Sequence, residues 1–121
     1  MTSRNRHRTA AVLALIIGLM TIVEGGSVLL GLETKPYPVL PWLVHYNVVF
    51  GFLSLFAGAG MWMEKGRVVT LAKFILACHA IVLLFLSVIS LLGMTVAAVS
   101  IMAMFFRTAI WTVINLLLRE R

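Results

Sequence analysis

The chain has 121 residues, of which 62% are hydrophobic and only 12% are charged, whereas a soluble globular chain is close to half apolar and a quarter charged. This composition, with a mean hydropathy of +1.08, excludes a disordered chain, a disulfide scaffold and an ordinary water-soluble core. The net charge of +6 does not indicate a nucleic-acid partner, because the basic residues lie at the chain ends and in one loop between apolar runs. A membrane-embedded protein is therefore expected, and its one cysteine, Cys78, excludes an intramolecular disulfide.

Four apolar stretches are long enough to cross about 30 Å of hydrocarbon as α-helices. The predicted spans are residues 9–31, 42–63, 68–92 and 95–118. Because backbone groups in lipid must be satisfied internally, helices are the expected conformation, and their short connections predict antiparallel neighbours. The sequence therefore predicts an all-α fold: one domain, residues 1–121, forming an antiparallel four-helix transmembrane bundle.

The connections between the predicted spans contain residues typical of turns. Three prolines favour an extended first connection: Pro36, Pro38 and Pro41. Residues 64–67 predict a charged turn with a glycine, and residues 92–94 predict a tight turn. The first span also follows a basic segment, as in a secretory signal peptide. The length of that span, the Glu24 within it and the lack of a small-residue cleavage site favour its retention.

Basic residues set the predicted orientation. Lys35 alone lies on one side of the predicted bundle. The other side carries Arg4, Arg6, Arg8, Lys65, Arg67, Lys73, Arg119 and Arg121. By the positive-inside rule both termini are expected in the cytoplasm, and a bacterial inner membrane is the expected location. Tyr37, Trp42 and Tyr46 then lie at the outer interface, with Trp62 at the inner one.

Three ionisable residues lie inside the predicted spans: Glu24, His79 and Arg107. By helical rise, His79 and Arg107 lie close to the membrane midplane, and Glu24 lies about 6 Å outward of it. The first and fourth helices are neighbours in the predicted bundle, so a Glu24–Arg107 ion pair is expected. Such a pair would offset the cost of a central arginine, about 2.5–3.5 kcal/mol. The cluster is interpreted either as a structural ion pair or as a site for a proton, an ion or a ligand headgroup.

Polar residues outward of this cluster predict a cleft. Ser27, Ser90 and Ser100 lie nearly in line with the three ionisable groups at helical spacing. The alternative is that these serines bond to carbonyls of their own helices. Trp111, one turn after Arg107, is expected either to cover the guanidinium by a cation–π contact or simply to pack.

Small residues mark one face of the second span. Asn47, Gly51, Ser54 and Gly58 fall within about 60° of one another around the helix. Such a stripe lets another helix approach closely, within the bundle or between protomers. Three glycines on the first span are candidates for the same role: Gly18, Gly25 and Gly26.

The sequence offers no nucleophile–base pair, no phosphate loop and no metal-ligand set, so an enzyme is not favoured. His45 and His79 would be the candidates for a haem site. However, His45 lies about 12 Å further outward and projects away from the small-residue face, so haem is not expected. Cys78 points about 100° away from His79, so the two do not predict a shared metal site.

Residues 40–85 have a recognisable outline. An apolar helix ends at residues 58–62 (GAGMW), the chain turns at residues 64–67 (EKGR), and it re-enters the apolar region at once. This stretch resembles the second and third helices of the DoxX-like family of small four-helix membrane proteins, whose members include quinol-oxidase subunits and accessory proteins. The resemblance implies a redox-associated accessory role.

This chain departs from the DoxX-like pattern in two places. Residues 47–51 (NVVFG) lack the acidic residue that the family often carries there, and residues 24–27 (EGGS) stand in place of its Gly-x-x-Lys. No functional residue is therefore carried over from the family. The layout also resembles that of the small multidrug transporters, but a mid-span arginine is foreign to their pattern.

Two functions follow as hypotheses. In the first, the chain is a non-enzymatic accessory subunit that docks through its small-residue faces and seats a quinone or a lipid headgroup in the outer cleft. In the second, it is a proton-coupled transporter that works as a homodimer, with Glu24 exchanging a proton for a cation. Arg107 disfavours a cationic substrate by repulsion. The expected partners are the lipid bilayer and either further copies of the chain or a larger membrane complex.

Overall fold

The computed structural model describes residues 2–32, 34–36 and 40–119. Within these ranges the chain forms four α-helices and no strand: α1 Ser3–Leu29, α2 Pro41–Trp62, α3 Val68–Leu91 and α4 Ala98–Arg119. Each helix is long and apolar enough to cross a membrane. The predicted all-α class and its four membrane-length helices are confirmed. Tyr37, Pro38 and Arg121, which entered the predictions above, lie outside the described residues.

The starts of two helices, α1 and α4, differ most from the predicted spans. Helix α1 begins at Ser3 rather than at residue 9, because Thr2 caps it by accepting a hydrogen bond from the Asn5 backbone N–H at 3.1 Å. A prediction from apolar stretches misses this polar start of the helix. Helix α4 begins at Ala98 rather than at residue 95, so the third connection is longer than the predicted turn.

The first three helices end in the same left-handed turn. At each end, one backbone N–H reaches back five residues and the preceding N–H reaches back three, which satisfies carbonyls that the helix leaves open. Gly31 (φ +73°) and Gly93 (φ +93°) provide the left-handed residue after α1 and α3. Glu64 (φ +56°) provides it after α2 without the freedom of a glycine.

The helices pack as a ring of four. Helix α1 lies against α2 and α4, and α3 lies against α2 and α4. The main core contains small residues of α1 and large residues of α4, including Trp111 and Ile114. A smaller core gathers Leu43, Leu86 and Met104. Large apolar side chains also cover the exterior of all four helices, Leu91 being 88% exposed, and soluble monomers rarely show such a surface.

The closest packing is between α1 and α2, and the small-residue stripe provides it. A Cβ atom at Gly51 would lie 2.6 Å from Cγ1 of Ile22, and one at Gly58 would lie 2.7 Å from Cγ of Leu15. On α1, a Cβ atom at Gly18 would lie 2.9 Å from the Gly51 carbonyl oxygen. The stripe therefore packs within the chain, and its glycines let the two backbones approach closely.

The other glycines of α1 differ from each other. A Cβ atom at Gly25 would lie 2.8 Å from Cγ2 of Val48, whereas one at Gly26 would meet nothing within 4 Å. Of the three glycines considered for packing on the first span, Gly18 and Gly25 lie in the contact and Gly26 faces open space.

Candidate functional site

Arg107 lies in the interior of the ring. It is only 9% exposed, and its Nη1 donates a hydrogen bond to Oδ1 of Asn47 at 3.1 Å. The bond joins α4 to α2 across the ring. A charge in an apolar bundle is expected to face the interior and to contact polar groups there, and this arrangement has both features. Asn47, the first residue of the small-residue stripe, is thus a polar partner as well as a packing residue.

His79 is the second buried polar group. Its Nδ1 lies 2.8 Å from the hydroxyl oxygen of Tyr46, a hydrogen-bonding distance. The ring of Phe50 lies beside both, with its centroid 5.6 Å from that of His79. Helix α2 therefore holds His79 in place through two residues one turn apart.

His79 and Arg107 meet at a small space in the centre of the molecule. The space has room of about 10 Å³ and is also lined by Asn47, Ser54 and Trp111. One water molecule needs about 10–15 Å³ measured in this way, so the space is at the limit for a single water.

Glu24 lies further out, with its side chain 51% exposed. Its carboxylate Oε1 forms an ion pair with Nζ of Lys35 at 3.5 Å. Among the described residues, the ion pair of Glu24 is thus with Lys35, not with Arg107 as predicted. The reason is local: Lys35 follows in the connection after α1, and its flexible chain brings the ammonium back to the carboxylate, while Arg107 bonds to Asn47 deeper in the ring.

Glu24 and Arg107 nevertheless share one cavity, here called the polar cavity. It has room of about 60 Å³ and lies among α1, α2, α4 and the first connection, enough for roughly four water molecules. Its polar lining consists of Thr21, Glu24, Lys35, Asn47, Ser100 and Arg107. Gly25, Ala103 and several valine and leucine side chains complete the wall. His79 lies outside this lining, in the adjoining central space.

The three serines of the predicted cleft have different positions. Ser100 lines the polar cavity. The hydroxyl of Ser27 donates to the Val23 carbonyl of its own helix at 2.6 Å, which is the alternative considered from sequence. Ser90 lies near the end of α3, and its carbonyl accepts the Gly93 backbone N–H. Of the three predicted serines, the lining of the polar cavity therefore includes Ser100, and it adds the cationic Lys35.

Trp111 is fully buried and belongs to the main core. Its indole Nε1 has no hydrogen-bond partner in the described part of the chain. The cation–π contact that the structure describes is elsewhere: the Arg8 guanidinium lies 4.5 Å from the centroid of the Trp62 ring.

The histidine and cysteine positions do not form a metal site. His45 is exposed, and its Nδ1 lies 2.8 Å from the Pro41 carbonyl oxygen of its own helix. Cys78 is a partly buried free thiol. Across residues 2–32, 34–36 and 40–119, no three His, Cys, Asp or Glu side chains come close enough together to hold a metal ion.

The sequence did not predict three contacts of this interior. These are the ion pair of Lys35, the hydrogen bond of Tyr46 to His79 and the hydrogen bond of Asn47 to Arg107. A usable signal existed for two of them, since Tyr46 and Asn47 are polar side chains inside a span, and buried polar groups require partners. No comparable signal existed for Lys35, because its position depends on the path of a proline-containing loop.

Comparison of the chain with protein-family models, curated proteins and solved structures gives no match.

Proposed function

We propose that the chain is a non-enzymatic accessory subunit of a bacterial inner membrane, inserted as an antiparallel four-helix bundle with both termini in the cytoplasm. We further propose that its polar cavity seats the hydrogen-bond-accepting end of a membrane-soluble ligand, a quinone or a lipid headgroup. The observation that carries this proposal is the Arg107 guanidinium, buried at mid-helix and lining a cavity.

Contacts at one end of the ring support the orientation. Nε and Nη2 of Arg6 donate to the Leu117 and Leu116 carbonyls at 3.1 Å, so the start of α1 lies beside the end of α4. Arg8 lies over Trp62 at the end of α2. The basic residues around these contacts favour a cytoplasmic location for this end.

The charges of the polar cavity favour an acceptor ligand. Its described lining includes the carboxylate of Glu24 and the cationic groups of Lys35 and Arg107. Guanidinium and ammonium groups only donate hydrogen bonds. The Arg107 guanidinium in the lining disfavours a cationic substrate, so we rank the proton-for-cation transporter as the weaker hypothesis.

The size of the cavity defines what can enter it. Pockets for whole drug-sized ligands hold about 300–1,000 Å³, whereas this one holds about 60 Å³. We infer that only the oxygen-bearing end of the ligand enters. Its apolar body would lie against Val28, Leu40 and Val99, which form part of the wall, and then in lipid.

The DoxX-like resemblance of residues 40–85 agrees with such a ligand, since that family is redox-associated. This stretch contributes Asn47 and His79 to the polar interior. Assembly with a second copy or with a larger membrane complex belongs to the same proposal.

The direct test is a binding titration of the purified full-length chain in mild detergent. The probes are a decyl-substituted benzoquinone and decyl phosphate, followed by isothermal titration calorimetry. We expect saturable binding of at least one probe. The Ala103→Leu variant fills part of the cavity wall without changing a charge and should weaken binding at least about tenfold, the equivalent of 1.4 kcal/mol.

The matched control is Ala109→Leu, since Ala109 lies on the same helix with an exposed side chain. This variant should bind as the unmodified chain does. Equal affinity in both leucine variants, or no saturable binding of either probe, would overturn the ligand proposal.

A further inference from the structure

A second space, here called the basic groove, lies between α3 and α4. It has room of about 500 Å³, within the range of small-molecule sites. Its polar lining consists of Lys73, Thr112, Asn115 and Arg119, and its apolar lining includes Val69 and Leu76. It shares no lining residue with the polar cavity.

A hydrogen-bonded bridge shapes the groove. Nδ2 of Asn115 donates to the Ala72 carbonyl of α3 at 3.1 Å and to the Trp111 carbonyl of its own helix at 2.8 Å. The bridge joins α3 to α4 at the residue before Lys73. Lys73 and Arg119 therefore project from two helices that are joined at this level.

The charge of the groove's described lining comes from Lys73 and Arg119. Within the described part of the chain, neither the Lys73 ammonium nor the Arg119 guanidinium has a hydrogen-bond or ion-pair partner. The described lining contains no carboxylate. Two like charges beside one groove repel each other, and an anion between them would relieve that repulsion.

The walls indicate which anion fits. Val69, Leu76 and Leu116 give the groove an apolar side. This side makes no favourable contact with a free phosphate, but an acyl chain packed against it would bury apolar surface. Basic pockets between membrane helices recognise anionic lipid headgroups. We infer that the basic groove binds an anionic phospholipid, with its phosphate between Lys73 and Arg119 and an acyl chain along α3 and α4. This inference depends on membrane insertion but not on the ligand of the polar cavity.

The test titrates the full-length chain in detergent with phosphatidylglycerol and counts bound lipids by native mass spectrometry. Phosphatidylcholine, which has no net charge, and inorganic phosphate serve as comparison ligands. The double variant Lys73→Gln/Arg119→Gln should bind phosphatidylglycerol about 30-fold more weakly, from the loss of two phosphate contacts. The matched control Lys65→Gln/Arg67→Gln removes two charges from the neighbouring loop and should change binding less than about threefold.

The outcomes separate the alternatives. Equal loss in both double variants would overturn the groove as a specific site, as would equal binding of phosphatidylcholine. Inorganic phosphate binding as tightly as the lipid would overturn the lipid assignment. If the double variant is not recovered folded, the single variant Lys73→Gln should show a loss of about fivefold. The Ala103→Leu variant should keep the phosphatidylglycerol binding that the Lys73→Gln/Arg119→Gln variant loses, because Ala103 does not line the basic groove. Failure of the polar-cavity proposal would therefore be distinguishable.

Discussion

Arg107 illustrates, at the scale of one residue, how a charge is accommodated in an apolar bundle. Its position was deducible, since a mid-span arginine must face the interior. Its bonding to Asn47 was not, because spacing along a helix does not report which polar group of another helix lies within reach. Lys35 forms the ion pair with the carboxylate of Glu24. The path of the loop that contains Lys35 cannot be predicted from the spacing of apolar residues.

The Asn47→Ala substitution tests the importance of this bond. It removes the amide oxygen that accepts from Arg107 and introduces no bulk into the contact between α1 and α2. The variant should lose about 1–2 kcal/mol of unfolding free energy. A hydrogen bond to a charged group contributes about 1.5–3 kcal/mol, and the proposed membrane insertion lowers this value, because bonds between membrane helices contribute about 0.6–1.7 kcal/mol. Unfolding in mixed detergent micelles, followed by far-ultraviolet circular dichroism, measures the loss.

Thr112→Ala is the control for Asn47→Ala. The Thr112 hydroxyl is exposed and donates to the Thr108 carbonyl of its own helix at 2.9 Å. The control should unfold as the unmodified chain does. If Asn47→Ala is no more destabilising than this control, the bond across the ring contributes no stability.

At the scale of the helices, the contact between α1 and α2 depends on the absence of side chains. Gly18 and Gly51 bring the two backbones together, so that a Cβ atom on either would overlap its neighbour. The small-residue stripe made close packing predictable. Whether the stripe served the chain itself or a second protomer was not predictable, because both use the same residues.

The Gly18→Ala and Gly26→Ala pair tests that contact. A methyl group at Gly18 would lie 2.9 Å from the Gly51 carbonyl oxygen. Because a backbone atom cannot move aside alone, this variant should lose about 1–3 kcal/mol of unfolding free energy. At Gly26 the added methyl group meets nothing within 4 Å, so the gain in helix propensity should stabilise the chain by up to about 1 kcal/mol.

The same unfolding measurement compares the two alanine variants, which differ only in position along α1. Equal stabilities for the two would contradict close packing of α1 on α2.

The helix boundaries show where sequence patterns lose information. Hydropathy located α2 and α3 to within one residue of their observed ends, because apolar side chains fill both helices. It missed the first turn of α1, where the helix continues through arginines under the Thr2 cap. It also placed the start of α4 too early, since residues 95–97 are apolar enough to join the span but are not helical.

At the scale of the whole molecule, the basic groove and the polar cavity lie toward opposite ends of the four helices. One end collects Arg6, Arg8 and the basic groove, while Lys35 and Glu24 lie with the polar cavity. The central claim is that these ends face opposite sides of a membrane, with Arg107 enclosed between them.

The most direct measurement of this claim is cysteine labelling in intact bacterial cells that express the chain. In a Cys78→Ser background, Thr34→Cys reports the loop beside the polar cavity and Gly66→Cys reports the loop at the basic end. A membrane-impermeant maleimide should label Thr34→Cys in intact cells and Gly66→Cys only after the cells are opened, because the basic end is expected in the cytoplasm. Labelling of both positions in intact cells, or of Gly66→Cys alone, would contradict the account.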